Sequence, residues 1–504
     1  MAQSLKSTYA WALIAVCVSA WLALFFSLQL GFWCLAFATI GWWVWREPEE
    51  GFLLLVILAP ILPMLKITQT IGTATLSKDV IIGVLFFKMW LLPLLTKRLP
   101  YRRNLMLAPL ILLGVWTALA AARADSITLG ILRAREIGLY ALLYLGVLYL
   151  PHTKEIMQRR MKWFVATFLV TLLLAAYQWF FAVDSAVLRF DPARSVWIPR
   201  ISSILAHPSI YGEYLIAAST LFLAGMAASV RWRRQFAVLV AATLPAMYLT
   251  YSRAVWIGMA AGAGAMGVLW VWRRTTSSGL RPTSPSKGEV PLLTKERSPR
   301  FGGAGEVLKQ WRWIVGIPAG IVLFLGLPLT PAGTFLRSAF DPTYASNAER
   351  LEFMVRLVAP LTNAEALIGR GLGDVTAQQF RQVDIGVQDI AEGRSRAVQL
   401  TKDATLVDNQ WLKSFVEMGL FGLIIYFWLF WRYAKGCLEL LRKHKSQSTN
   451  SRAVFGLWGA GFLAAFIVQG FFIDIWDIFP TNAMFWIIGA LVSASLTPHP
   501  RNPV

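Results

Sequence analysis

Residues 405–427 read TLVDNQWLKSFVEMGLFGLIIYF. Asp408 and Asn409 stand ahead of a mostly apolar run, which is how helices begin. The run 409–431 has the roughly 20 residues that a helix rising about 1.5 Å per residue needs to cross about 30 Å of hydrocarbon. Asp408 marks the passage from loop to helix. There a carboxylate caps backbone N–H groups, worth about 1 kcal/mol. The same placement, in water and at the positive end of a helix dipole, makes it a modest base and a good orienter of a hydroxyl. Both roles are open to it.

Outward from this stretch the composition is the same in kind. The 504-residue chain is 57% hydrophobic and only 15% charged, with 23 Trp, 13 Tyr and 31 Phe and a mean hydropathy of +0.55. Disordered, collagen-like, coiled-coil and disulfide-stapled chains all require other compositions. The three cysteines, Cys17, Cys34 and Cys437, imply no disulfide framework. An all-α polytopic membrane protein remains, with about 12–14 transmembrane helices. Fourteen segments qualify: 9–27, 30–46, 51–65, 80–95, 104–121, 127–150, 163–182, 209–229, 235–250, 254–272, 313–330, 409–431, 453–472 and 480–497. The second and third are short, and Pro60 and Pro63 interrupt the third.

The net charge of +21 would suggest nucleic acid in a soluble protein; in a membrane protein it first suggests Lys and Arg retained in the cytoplasm, and no nucleic-acid partner is expected. With the N-terminus inside, the cytoplasmic pieces hold 29 of the 48 Lys and Arg. The short external loops hold seven: Lys66, Lys78, Arg123, Arg189, Arg194, Arg200 and Arg253. Both termini are therefore expected in the cytoplasm, with the first segment a retained signal anchor.

Two loops are long. Residues 273–312, rich in Ser, Pro, Gly and basic residues, read as a disordered cytoplasmic insert. Residues 332–408 form a 77-residue extracytoplasmic loop with eight basic and ten acidic residues. In it Leu351, Met354, Val355 and Val358 recur at i, i+3, i+4 and i+7, so an amphipathic helix is expected along the membrane surface. The chain divides into N-terminal transmembrane helices (1–182), a core (183–431), and a C-terminal cytoplasmic loop with the last transmembrane helices (432–504). Neither a metal-ligand cluster nor a nucleotide motif appears in the large loop, and no metal or cofactor is expected.

The external arginines carry the chemistry. RSVWIPRISSILAHPSIYGEYL holds Arg194, Arg200, His207, Tyr211 and Glu213; TYSRAVW sets Arg253 in a tight turn; Arg350 opens the amphipathic helix. A guanidinium is a rigid fork that pairs with two phosphate oxygens and keeps its proton. Several such forks at one face suggest an anionic, lipid-linked substrate, with pyrophosphate the attractive candidate. Each has a plainer reading: Arg194 as a snorkelling anchor, His207 as a loop histidine set extended by Pro208. Arg133, Arg135 and Glu136 read as a local ion-pair cluster.

The order of RISSILAHPSIYGEYL, YSRAVWIG, IGRGLG and DNQWLKSFVEMGLFG resembles the bacterial O-antigen ligase and O-antigen polymerase superfamily over roughly residues 190–430. The resemblance implies a C-type glycosyltransferase-like membrane fold in the inner membrane and an active site on the periplasmic face. It also implies an undecaprenyl-pyrophosphate-linked glycan as donor, transferred with inversion to a sugar hydroxyl of a glycan or lipid-linked acceptor. By that resemblance Arg200 and Arg253 hold the donor pyrophosphate, Arg350 helps to position it, and Asp408 stands where ligases carry a catalytic histidine. That replacement leaves ligase and polymerase both open, and either Asp408 or His207 as the base. A polysaccharide flippase and a protein O-oligosaccharyltransferase are the competing readings.

Overall fold

The computed structural model describes residues 18–19, 28–63, 76–100, 102–191, 196–205, 207–229, 232–275, 351–352, 354–355, 357–375, 409–443, 451–476 and 479–497. Twelve of the fourteen expected segments are helices; 9–27, apart from residues 18 and 19, and 313–330 lie outside the described residues. In chain order they are α1 (Leu28–Arg46), α2 (Pro48–Leu58), α3 (Ser77–Phe86), which continues through a π turn into α4 (Leu92–Leu95), α5 (Leu107–Ala122), α6 (Ile127–Tyr149) and α7 (Lys154–Phe181). After a hairpin of β1 (Val187–Asp191) and β2 (Val196–Arg200) come α8 (Pro208–Ala228), α9 (Arg233–Leu249), α10 (Arg253–Thr275), the short α11 (Asn363–Ile368), α12 (Gln410–Lys443), α13 (Ser451–Gln469) and α14 (Thr481–Leu496).

Five of these helices, α7, α8, α10, α12 and α13, are long and apolar enough to cross a membrane; α5 and α14 are shorter and equally apolar. Two stretches expected as cytoplasmic loop are largely helix, because α7 begins at Lys154 and α12 runs on to Lys443. Hydrophobicity marks only the part of a helix that lies in lipid, and a polar extension leaves no such mark.

The core runs through the described bundle from α1 to α14, and among the C-terminal helices it is aromatic. Tyr426 and Phe430 of α12, Phe466 of α13, Phe485 and Trp486 of α14 and the intervening Trp476 are each no more than 3% exposed, and their rings meet in stacked and edge-on pairs. α10 packs on α13 through small residues. A Cβ at Gly262 would lie 2.7 Å from the Gly461 carbonyl oxygen, so only glycine lets these backbones approach so closely.

The contacts sort the connections into two sets at opposite ends of the helices. At one end Arg160 of α7 donates to Glu49 Oε1 at 2.8 Å and to the Pro151 carbonyl at 2.8 Å, Arg159 pairs with Glu50 at 2.6 Å, and Arg103 with Glu439 at 2.6 Å. Every residue in that set was assigned by charge to the cytoplasmic side or its helix ends. The other end gathers the hairpin, the α9–α10 turn, the described part of the large loop and the α13–α14 connection.

Candidate functional site

The β1–β2 hairpin was not foreseen; it is the one departure from an all-helical chain among the described residues. Its antiparallel register pairs Val187 with Arg200 and Asp191 with Val196. It ends by delivering Arg200 to the α9–α10 turn. Ile201 N–H donates to the Leu249 carbonyl at 3.0 Å, and Arg200 Nε donates to the Thr250 carbonyl at 2.8 Å. Three residues on, Arg253 opens α10. Tyr251 between them takes a positive φ of 45°, which lets a turn of three residues reverse the chain. Arg200 is 9% exposed and Arg253 7%. Two buried arginines from distant segments thus meet one turn, Arg200 by its guanidinium and Arg253 as the first residue of α10, where helix N–H groups favour an anion.

The loop after Arg200 is fastened to α7. Gln178 Oε1 accepts the Ser202 and Ser203 N–H groups, each at 3.0 Å, and Ser203 Oγ donates to the Thr171 carbonyl at 2.6 Å. His207 then caps α8: its backbone is extended, as Pro208 demands, and its Nδ1 accepts the Ser209 N–H at 3.2 Å. With Nδ1 an acceptor, the neutral ring carries its proton on Nε2 and presents a donor there. The ring keeps surface access, yet the protein packed round it and then the Arg200 charge push its pKa down to about 4. The structure gives Tyr211, an expected substrate contact, a packing role: it is fully buried, and its hydroxyl donates to the Thr171 carbonyl at 3.4 Å. Arg194, Arg350 and Asp408 lie outside the described residues.

A second group of polar residues surrounds the start of α12. Asp408, for which a capping role was also open, lies outside the described residues, and Asn409 caps this helix. Its side-chain oxygen accepts the Leu412 N–H at 3.0 Å, and its carbonyl the Lys413 N–H at 3.1 Å. Gln410 donates its N–H to the Gly470 carbonyl at 2.7 Å and accepts the Trp476 N–H at 3.0 Å, while Lys413 pairs with Asp474 at 2.6 Å. Farther along, Glu417 faces Arg133 of α6 at 3.4 Å and accepts the Gly373 N–H at 3.1 Å. Arg133 also pairs with Glu136 at 3.3 Å, and Arg135 with Asp79, so the expected ion-pair cluster on α6 is present and extends to α3 and α12.

α12 breaks at Gly419, whose φ is 69°, and the glycine loop 369–373 enters the break. Arg370 N–H donates to the Val416 carbonyl at 2.9 Å and Gly371 N–H to that of Glu417 at 3.2 Å. α11, opened by a capping box between Thr362 and Glu365, leads into this loop. Before it, Leu357 is buried against Val375 and Val416, while Leu351, Val355 and Val358 of the expected amphipathic helix are exposed. That apolar stripe is the face such a helix lays on lipid.

The α13–α14 connection joins the two groups. Asp474 and Trp476 hold α12, and a few residues later Thr481 donates its hydroxyl to Glu213 of α8. Glu417, Gln178 and Asp474 were not singled out from sequence. A charge inside an apolar segment was the available signal for Glu417; Gln178 and Asp474 gave none. Among the described residues no group of three or more His, Cys, Asp or Glu is placed to hold a metal ion.

Residues 236–427 match the family model described as O-Antigen ligase. The match, over those residues, supports the resemblance to the O-antigen ligase and polymerase superfamily, and the apolar helices are those of a multi-pass membrane protein. The O-antigen ligase match begins in α9 and ends in α12, so it takes in Arg253, the glycine loop and Glu417; Arg200 and His207 precede it. No curated protein matches the chain.

Proposed function

We propose that this protein transfers a glycan from an undecaprenyl-pyrophosphate donor to a sugar hydroxyl at the periplasmic face of the inner membrane, with inversion, as a polysaccharide polymerase or O-antigen ligase. The observation that carries this reading is that two buried arginines, Arg200 and Arg253, are brought from distant segments to one interhelical turn. As the bond between the anomeric carbon and the pyrophosphate breaks, charge builds on the leaving oxygens, and donors already fixed there act without reorganising. Fork geometry matches a diphosphate, and low exposure strengthens the attraction. His207, neutral and with its donor on Nε2, is suited to bond a substrate oxygen. Its low pKa makes it a weak base, as a carboxylate is, so either His207 or Asp408 orients or deprotonates the acceptor.

The test is transfer by purified protein in detergent, given a synthetic polyprenyl-pyrophosphate oligosaccharide and no second compartment. Arg253→Ala is expected to abolish transfer while the protein still inserts and purifies as a folded species. Wild-type rates in that variant would remove Arg253 from the mechanism. Failure of the unmodified protein to consume the donor, together with donor movement across vesicles, would favour a flippase.

A further inference from the structure

α9 runs from Arg233 to the arginine turn, so Arg233 lies at the opposite end of the helices, the end whose charges predicted a cytoplasmic side. A half-enclosed crevice opens there between α8 and α10. Leu223 and Met226 of α8 and Ala263, Met266 and Trp270 of α10 help to line it, and Arg233 is the one charged residue in its wall. On α10 the lining residues 263, 266, 267 and 270 recur at i, i+3, i+4 and i+7, which is one face of a helix, so the crevice runs along the helix axis. Arg273, half-buried, follows Trp270 by three residues and continues that face. The crevice is apolar along its length and cationic at its outer end. Two contacts build that end: Arg233 Nε donates to the Met226 carbonyl at 3.1 Å, and Trp270 Nε1 to the Ala227 carbonyl at 3.3 Å. Beside them Trp232 and Arg234 are exposed, the residue types that anchor a helix end among lipid headgroups.

A soluble metabolite is oriented by several polar groups converging in its pocket, and this wall has a single charged one. An acyl chain needs none. The phosphate at its head needs a cation at the depth where the chain leaves the hydrocarbon, and basic residues between helices supply that for anionic headgroups. We propose that the crevice binds one anionic phospholipid of the leaflet at that end, with an acyl chain between α8 and α10 and the headgroup phosphate on Arg233 and Arg273. The site lies away from the arginine turn and stands whether or not the protein transfers a glycan.

The full-length protein in detergent is given phosphatidylglycerol carrying a photoreactive diazirine in one acyl chain, and the labelled residues are mapped. Labels are expected on the α8 and α10 residues that line the crevice. Unlabelled phosphatidylglycerol should displace them, whereas phosphatidylcholine with the same chains and glycerol phosphate without chains should not. Labels confined to other segments, or equal displacement by phosphatidylcholine or by glycerol phosphate, would overturn the proposal. These arms use the unmodified protein and decide the matter even if a variant fails to fold. Arg233→Gln is expected to weaken retention of phosphatidylglycerol about fivefold, the effect of one basic residue at an anionic surface. Ala263→Leu fills the crevice, leaves the charges in place, and should weaken retention at least as much. Retention unchanged in both folded variants would place the lipid elsewhere and sink the assignment.

Discussion

His207 shows how one side chain's surroundings set its chemistry. Its pKa is pushed down to about 4 by packing and then by Arg200, whereas in an unfolded chain a histidine titrates near 6.5. Between those values the unfolded form binds a proton that the folded form refuses, so this residue removes stability as pH falls from about 6.5 to about 4. His207→Asn keeps an acceptor for the Ser209 N–H and does not titrate. Unfolding midpoints between pH 7 and 4.5 should therefore fall less steeply in the variant than in the unmodified protein. Gly419 is constrained in a different way. A Cβ there would lie 2.3 Å from the Leu367 carbonyl oxygen and 2.5 Å from the Gly369 nitrogen, at a φ of 69°. Gly419→Ala should cost about 1–3 kcal/mol or more, read as a lower denaturation midpoint. Glycine in a sequence signals such freedom only as a possibility; the glycine loop entering the helix break is what requires it.

Among the elements, α12 is the one on which most connections converge. Its N-terminus is capped by Asn409 and tied to the α13–α14 connection through Gln410 and Lys413. Asn409→Ala should cost about 0.5–2 kcal/mol, as loss of a helix cap does elsewhere, and the loss should appear as faster exchange in the first turn of α12. An unchanged first turn would hand the capping role to another residue. The start of α12 was legible to within a residue from the polar-to-apolar transition in DNQWL. Which of two adjacent polar residues caps was not, since Asp and Asn serve equally well there and the backbone at that point depends on the Gly470 carbonyl that Gln410 meets. The β1–β2 hairpin was illegible for a related reason. VLRFD and VWIPR are short and flanked by loop, and periodicity over five residues does not distinguish a strand from irregular chain.

For the whole molecule, the two polar ends of the bundle predict separable effects. Arg160, 5% exposed, holds α2 and the α6–α7 connection at the end away from the arginine turn. Arg160→Ala should destabilise by about 3–5 kcal/mol, as breaking a buried pair does. Per folded molecule, KM for the donor should stay unchanged; an altered KM would mean that the ends are coupled through the helices. The sequence alone determined which stretches leave water, where helices lie between them, and to which set each charge belongs, because hydrophobicity and charge placement are local properties of the chain. Only the tertiary structure decided partners: Arg200 with the Thr250 carbonyl 50 residues away, and Glu417 with Arg133 across 284. A guanidinium or carboxylate accepts many partners equally well, so the choice falls to whichever backbone the packing of distant helices brings within reach.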